Sequence, residues 1–374
     1  MKKGWKTVPL GELCDVLDHK RKPITKRDRE SGEYPYYGAT GVLDHVAGYL
    51  FDEPLVLVGE DGAKWASGEN TAFAVEGKIW VNNHAHVLRP HRTVLLDNWL
   101  IYHLNHTDLI EFVSGLTVPK LNQGRLREIP IPVPPLAEQQ RIVGLLDEAF
   151  EGLATTKANA KKNLQNARAL FESHLQSVFT QRGLGWVEKR LDALAKFSQG
   201  IQIGLSDQSN APAKGWVRFI RIIDYTQGTD DIRYVQDPGC RYWADKSDIV
   251  MVRYGTPGLV GRGIEGVIAN NLFKISILDG SLTNDFLAYF LGQQTVQNYL
   301  SSQGSSTMPA LTFTQLGAVM VSFPHEMEEQ RGIATKLDSL REGTQRLARL
   351  YERKLAALEA LKKSLLHQAF SGEL

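Results

Sequence analysis

The chain has 374 residues, enough for two or three domains, and its 43% hydrophobic and 23% charged residues exclude a disordered or fibrous protein. Lys and Arg number 43 against 42 Asp and Glu, a net charge of +1, so any nucleic-acid surface has to be local. No apolar run nears the roughly 18 residues of a membrane span, no apolar core follows Lys2 and Lys3, and Cys14 and Cys240 lack CxxC spacing. Cytoplasmic residence is therefore expected, with neither a disulfide framework nor a zinc finger.

In chain order, Gly4-Trp5 opens a segment in which Leu10, Leu13 and Leu17 recur at helical spacing. A basic run follows, with Lys20, Arg21, Lys22, Lys26, Arg27 and Arg29 relieved only by Asp28. It is either a solvated loop or a phosphate-binding one. Strand signals come next at Tyr34 to Tyr37, at Pro54-Leu-Val-Leu-Val58 before the turn Gly59-Glu-Asp-Gly62, and at Ile79-Trp-Val81. Asn98 to Leu104 has a helical apolar face, and Gly115 to Gly124 is polar and turn-rich. The prolines of Ile129-Pro-Ile-Pro-Val-Pro-Pro135 forbid helix and predict a stiff extended segment.

From Leu136 to Phe179 the pattern is one long helix, with a 3-4 seam through Val143, Leu146, Phe150, Leu153, Lys157, Ala160, Leu164, Ala167, Phe171, His174 and Val178. About 40 residues at 1.5 Å each would span roughly 60 Å. The chain then repeats itself. Gly185-Trp186, Leu191 and Leu194 answer Gly4-Trp5, Leu10 and Leu13; Ile249 to Val252 answers Leu55 to Val58; Phe286 to Leu291 answers Trp99 to Leu104; Thr307-Met-Pro-Ala-Leu311 answers Thr117 to Leu121. A second long helix carries a seam through Ile333, Leu337, Leu340, Thr344, Leu347, Tyr351, Lys354, Leu358, Leu361 and Leu365. Two seams of equal length on one chain predict an antiparallel pair with pseudo-two-fold symmetry.

No catalytic motif is present: GxGxxG after a strand, Walker G-x-x-x-x-G-K and G-x-S-x-G are all missing. Gly255 to Gly263 lacks the Lys-Ser/Thr of a P-loop and is read as a turn-rich binding loop. His84 and His86 alternate without a third ligand at a recognisable spacing, which predicts a structural or DNA-contacting role rather than a metal site. The side chains that suit DNA do collect on predicted turns. They are Lys20, Arg21, Lys22, Lys26, Arg27, Tyr36, Tyr37, Thr40, Lys64, Asn82 and Asn83 in the first half. In the second half they are Gln199, Gln202, Arg218, Arg221, Tyr225, Arg253, Tyr254, Arg262 and Asn270. Singly each is an ordinary solvated side chain; as a set in two matching halves they point to binding.

Leu121-Asn-Gln, the run Leu126-Arg-Glu-Ile-Pro-Ile-Pro-Val-Pro-Pro-Leu-Ala-Glu-Gln-Gln-Arg-Ile142, and the weaker copy Leu311, Phe323-Pro and Glu328-Glu-Gln-Arg331 resemble the specificity subunit of type I restriction-modification enzymes. The second copy departs from the pattern, with Val321-Ser-Phe-Pro324-His-Glu-Met in place of the proline run. The resemblance spans essentially the whole chain. It implies an α+β protein of two similar α/β target recognition domains, 1–135 and 181–325, separated by a long antiparallel two-helix coiled coil, 136–180 and 326–374. Each domain would read one half of an asymmetric bipartite target in double-stranded DNA. The helices would dock two methyltransferase subunits, with Glu138, Gln139, Gln140, Arg141, Glu329, Gln330 and Arg331 as the docking residues. Restriction subunits would join that core in a defence complex; S-adenosylmethionine, ATP and magnesium are expected on the partners, none on this non-catalytic chain, and no membrane is involved. Two rivals remain in view: a specificity module of another methylation-based defence system, and a coiled-coil scaffold whose ends bind proteins instead of DNA.

Overall fold

The computed structural model describes residues 4–115, 117–183, 185–227, 230–302 and 310–374. Met1 to Lys3, and the Thr307 to Pro309 part of the expected repeat, lie outside the described residues. The first half of the chain runs β1 (Lys6–Pro9), α1 (Leu10–Leu13), β2 (Cys14–Val16), β3 (Ser31–Gly38), β4 (Gly41–Val46), β5 (Phe51–Asp52), β6 (Leu55–Gly59), β7 (Ala72–Val75), β8 (Lys78–Val81), β9 (Ala85–Pro90), α2 (Asp97–His106), α3 (Gln123–Glu128), β10 (Pro130–Val133) and α4 (Leu136–Thr180). The second runs β11 (Trp186–Arg190), α5 (Leu191–Leu194), β12 (Ala195–Gln199), β13 (Gln208–Ser209), β14 (Trp216–Ile220), α6 (Ile222–Thr226), β15 (Arg233–Gln236), β16 (Trp243–Ala244), β17 (Ile249–Val252), β18 (Val260–Gly261), β19 (Gly266–Ile268), β20 (Leu272–Ile277), α7 (Asn284–Gly292), α8 (Gln294–Ser302), α9 (Phe313–Gly317), β21 (Met320–Pro324) and α10 (Met327–Ser371). No helix among the described residues is long and apolar enough to cross a membrane.

The chain forms two compact units, one of Met1–Lys161 with Glu352–Leu374 and one of Lys162–Tyr351. The division falls inside both long helices, so each unit owns half of each. In the first unit a sheet ordered β2-β9-β6-β7 faces a second ordered β4-β3-β8-β5. Leu55, Leu57 and Val87 of one sheet meet Phe51, Ile79 and Val81 of the other. The opposite face of β6, Val56 and Val58, joins Trp99 of α2, Ile142 and Leu146 of α4, and Leu366, Ala369 and Phe370 of α10. Burial on both faces explains why β6 reads as an unbroken apolar run. The second unit repeats the plan with sheets β12-β20-β17-β18 and β13-β15-β14-β19-β16; β17 sends Ile249 and Met251 to the helices and Val250 and Val252 to the other side.

Sequence spacing misleads at α1, where Leu10 and Leu13 belong to one helical turn and Leu17 lies beyond β2. The proline run forms β10 and pairs antiparallel with β1, Pro130 opposite Pro9; Met320–Pro324, despite its different sequence, pairs with β11 in the same way. The helices run antiparallel within each unit: Lys362 lies over the Phe150 ring and Lys157 pairs with Glu359 in the first, and Arg341 lies over the Phe171 ring in the second. The seams differ in phase from the expected ones. His174 is exposed while Leu175 and Phe179 are buried in the second unit's core. On α10, Leu347, Lys354 and Leu361 are exposed, and Ala348 and Leu355 turn inward. A straight helix of 3.6 residues per turn drifts against a 3.5 repeat, and the terminal turns dock on a globular core, not on a helix.

Each long helix is tied to its unit by one buried glutamine. Gln139 accepts the Leu96 N–H at 2.9 Å and donates to the carbonyls of Val94 and Pro134 at 2.8 and 2.9 Å. Gln330 accepts the Thr283 N–H at 2.8 Å and donates to Ser281 and Pro324 at 2.9 and 2.8 Å. Removing either side chain orphans three backbone groups. Gln139→Ala should cost about 2–4 kcal/mol in urea unfolding, as should Gln330→Ala, and a loss below about 1 kcal/mol would sink this account.

An edge-to-face aromatic cluster covers the first unit's helix junction, with Trp99 4.8 Å from Phe370 and His103 5.0 Å from Phe370 between ring centroids. His103 donates Nε2–H to the Pro130 carbonyl at 3.0 Å, and its Nδ1 is buried without a partner. Burial pushes this imidazole down to about 4, against the Pro130 bond. Below its ordinary value of 6.5 the unfolded chain takes up the proton first, so His103 subtracts stability as pH falls from 6.5 toward 4. The stability of the wild type relative to that of His103→Leu should fall over that window by on the order of 3 kcal/mol, read by urea titrations at each pH. A gap that stays constant would refute it.

Candidate nucleic-acid interface

In the first unit β3 and β8 run parallel and end at Gly38 and Val81, so their following turns meet at one rim with the turn after β6. Backbone bonds fasten these turns: Glu60 N–H to the His84 carbonyl at 2.9 Å, Asn82 N–H to Tyr37 at 3.0 Å, and Lys22 N–H to Val81 at 3.2 Å. Gly59 lets the β6 turn lie against the β3–β4 turn, since a Cβ there would stand 3.0 Å from the Ala39 carbonyl.

Behind the rim lies a buried charge cluster. Arg21 donates to Glu60 at 2.5 Å and to the Ala85 carbonyl at 2.7 Å, and lies 3.3 Å from Asp18; Lys120 reaches Glu60 at 2.9 Å. Burial would raise the Asp18 carboxyl, but the His86 hydrogen bond and charge, the Val87 N–H and Arg21 outweigh it and hold it below the ordinary carboxylate value. Asp18, Glu60 and His86 form a possible metal-ligand group. The chemistry does not fit one. His86 Nδ1 is 2.6 Å from the Asp18 carboxylate and Nε2 is 2.7 Å from the Leu121 carbonyl. Both ring nitrogens are thus already engaged by partners of the protein itself, and neither faces an open coordination position. Arg21 and Lys120 already supply the countercharge.

Lys20, Lys22, Lys26, Arg27, Thr40, Lys64 and Asn83 are exposed. Among the described residues Lys20, Lys22 and Lys26 have no ion-pair partner within 4.0 Å, Arg27 has Asp28 at 3.2 Å, and Lys64 has Glu69 at 3.8 Å. Four expected contacts turn inward instead. Arg21 belongs to the charge cluster. Tyr36 is buried, its hydroxyl accepting the Ile24 N–H at 2.9 Å and its ring under Arg29. Asn82 is buried and accepts the His84 N–H at 2.8 Å, and Tyr37 leans on Phe73.

The second unit gathers Gln199, Gln202, Arg253, Tyr254 and Asn270 around the ends of β12, β17 and β19. Arg253 lies over the Tyr254 and Phe273 rings, and no acid pairs with it among the described residues. Arg218 and Arg221 are committed to the buried Asp224, at 3.1 and 3.5 Å, and Tyr225 is half-buried, its phenol raised by desolvation. Arg262 is no loop-tip residue: it pairs with Asp285 and, at 2.6 Å, with Asp338 of α10, above the Tyr289 ring. Its place is the helix junction. Of the expected docking residues, Gln140, Arg141, Glu329 and Arg331 are exposed, Glu138 is bound twice by Arg141, and Gln139 and Gln330 are buried and cannot meet a partner. Sequence reasoning missed Lys120 and Asp61, which a bridge between distant turns brings together.

Two matched α+β units, each with a rim of turns bearing cationic and amide side chains and each completed by an antiparallel helix pair, make a duplicated recognition protein. The model of the family described as the type I restriction modification DNA specificity domain matches residues 2–166 and again 184–358, and the chain belongs to that family. A putative type I restriction enzyme specificity subunit of Haemophilus influenzae is 40% identical over 144 residues, 38% of this chain and 36% of that protein. The EcoDI specificity subunit of Escherichia coli is 22% identical over 99% of this chain and 88% of its own length. Among solved structures, a chain from a study of complex assembly in the type I R-M system superposes with a TM-score of 0.74 at 20% identity, covering 100% of this chain and 99% of that one. The HsdS subunit of Thermoanaerobacter tengcongensis gives 0.57 at 20% identity, with 100% and 98% covered.

Within the basic run the geometry separates two kinds of residue. Arg21→Ala should destabilise the chain by about 1–3 kcal/mol, because it takes one charged partner from Glu60 and Asp18 while Lys120 and His86 remain. Lys20→Ala and Lys22→Ala should stay within about 0.5 kcal/mol. Thermal melts of the three variants decide this, and equal shifts would contradict it.

Proposed function

We propose that this chain is the DNA-sequence specificity subunit of a type I restriction-modification complex, with each unit reading one half of an asymmetric bipartite target. The observation that carries the reading is the rim of turns in each unit. Among the described residues, the first unit's rim presents lysines without ion-pair partners, and the second unit's presents amides and a guanidinium with no acid paired to it. Phosphate oxygens take the lysines, and base edges take the planar groups. The different chemistry of the two rims favours two different half-sites.

Catalysis belongs to partners on this reading. Two methyltransferase subunits, carrying S-adenosylmethionine, dock on the outer faces of the long helices, and restriction subunits bring ATP and magnesium. Exposed leucines outside the seams support such docking: Leu145 and Leu361 in the first unit, and Leu170, Leu347 and Leu350 in the second. The exposed Gln140, Arg141, Glu329 and Arg331 complete these faces.

The test uses the chain assembled with its methyltransferase partners. Duplex binding should be sequence-selective and fall with salt. Replacing Lys20, Lys22 and Lys26 by Ala should weaken it on every sequence and reduce the log–log salt slope by about 0.9 for each lysine that touches a phosphate. An unchanged slope returns the lysines to a solvated role, and no selective binding by the parent complex ends the reading.

A further inference from the structure

In the second unit Asn270 Nδ2 donates to Gln202 Oε1 at 3.2 Å, amide to amide. Gln202 is exposed and Asn270 half-exposed. Neither side chain has another hydrogen bond among the described residues, so the pair has a free carbonyl on Asn270 and free N–H groups on Gln202. Exchanging oxygen and nitrogen in both amides swaps the residues but still leaves one acceptor beside one donor. The paired amides therefore present a fixed donor–acceptor face.

The backbone beneath is rigid. Ile201 bridges Ala269 in parallel register, its N–H donating to the Ile268 carbonyl at 2.9 Å, and Gly200 N–H donates to Leu272 at 3.1 Å. A Cβ on Gly200 would stand 2.2 Å from the carbonyl oxygens of Ile268 and Ala269, so only glycine allows this approach. Gln199 Nε2 donates to the Asn270 carbonyl at 2.8 Å and holds that turn from the other side. Among the described residues the first unit shows no such face: Arg21, which stands as far after Trp5 as Gln202 does after Trp186, is turned inward to Glu60.

We propose that Gln202 and Asn270 together read one adenine through its major-groove edge in the half-site met by the second unit. This rests on the DNA-reading function above and names a base for it. Adenine offers N7 as acceptor beside N6–H as donor, the complement of a donor–acceptor pair. Guanine offers two acceptors there, cytosine a lone donor and thymine a lone acceptor. Gln199 and Gly200 are positioning residues for the pair.

The experiment takes the complex with its methyltransferase subunits and first obtains its target from the methylated positions in a host genome. Competition binding then compares that target with every single-base-pair variant of each half-site, for the wild type, Gln202→Ala, Asn270→Ala and the double variant. Discrimination at one A·T pair should fall about 10- to 100-fold in each single variant, and little further in the double, since the two amides act as one reader. Replacing that adenine by 7-deazaadenine, which lacks the N7 acceptor, should weaken the wild type and leave the double variant unaffected. Melting temperatures should not move, both side chains being at the surface. Unchanged discrimination at all A·T pairs in the double variant, or discrimination lost at a G·C pair, overturns the proposal. Selective binding by the wild type in that event leaves the DNA-reading function standing, whereas no selective binding by the wild type overturns both.

Discussion

The buried carboxamide at the start of each long helix is the contact on which the rest of its unit depends. Its requirements are narrow: one backbone N–H needs an acceptor and two carbonyls need donors, all out of water. Only an amide supplies an acceptor and two N–H donors from one side chain; a hydroxyl has a single donor, Glu has no N–H, Lys no acceptor, and an apolar residue leaves three orphans. Gln139 fixes the entry of α4 against the segment that leads into α2, and Gln330 does the same for α10 and α7. With those entries fixed, Leu146 and Leu337 enter the two cores.

This contact also shows how a motif can be legible and its role misassigned. The Glu-Gln-Arg repeat stands out in the sequence, and a polar cluster at a helix start reads as a surface. Its glutamine is polar because the backbone around it is polar and buried, which no local pattern reveals. The exposed neighbours in the same motif, Gln140 and Arg141, fit the surface reading.

Much of the architecture was readable because it follows from local physics. Prolines forbid helix, so the 129–135 run is extended, and Leu55–Gly59 and Ile249–Val252 are apolar throughout because they are covered on both faces. The seams were readable in kind and displaced in phase. Residues 344, 351 and 358 stay inward on α10, but the alternate position falls at Ala348 and Leu355, where the small change in helical phase accumulates. The site was legible only as a set of residue types. Arg21 and Lys22 are adjacent and both basic; one is half-buried and the other exposed because Glu60, 39 residues on, stands behind Arg21.

Glu60 has a counterpart that shows why the two rims differ. Its N–H donates to the His84 carbonyl and its carbonyl accepts the Leu121 N–H; Arg253 makes the same two bonds with Asn271 and Leu311. One backbone position in a duplicated framework thus holds an acid in the first unit and a base in the second. The acid draws Arg21 and Lys120 onto itself, leaving neighbouring lysines as the free cations. The base pairs with no acid among the described residues and rests on Tyr254 and Phe273, with amides around it. Lysine is a compact, mobile point charge well suited to phosphate, while guanidinium and amide groups are planar forks that match base edges. A single inversion of charge at one shared backbone position therefore gives the two rims different surface chemistry, without any change in the framework that holds them.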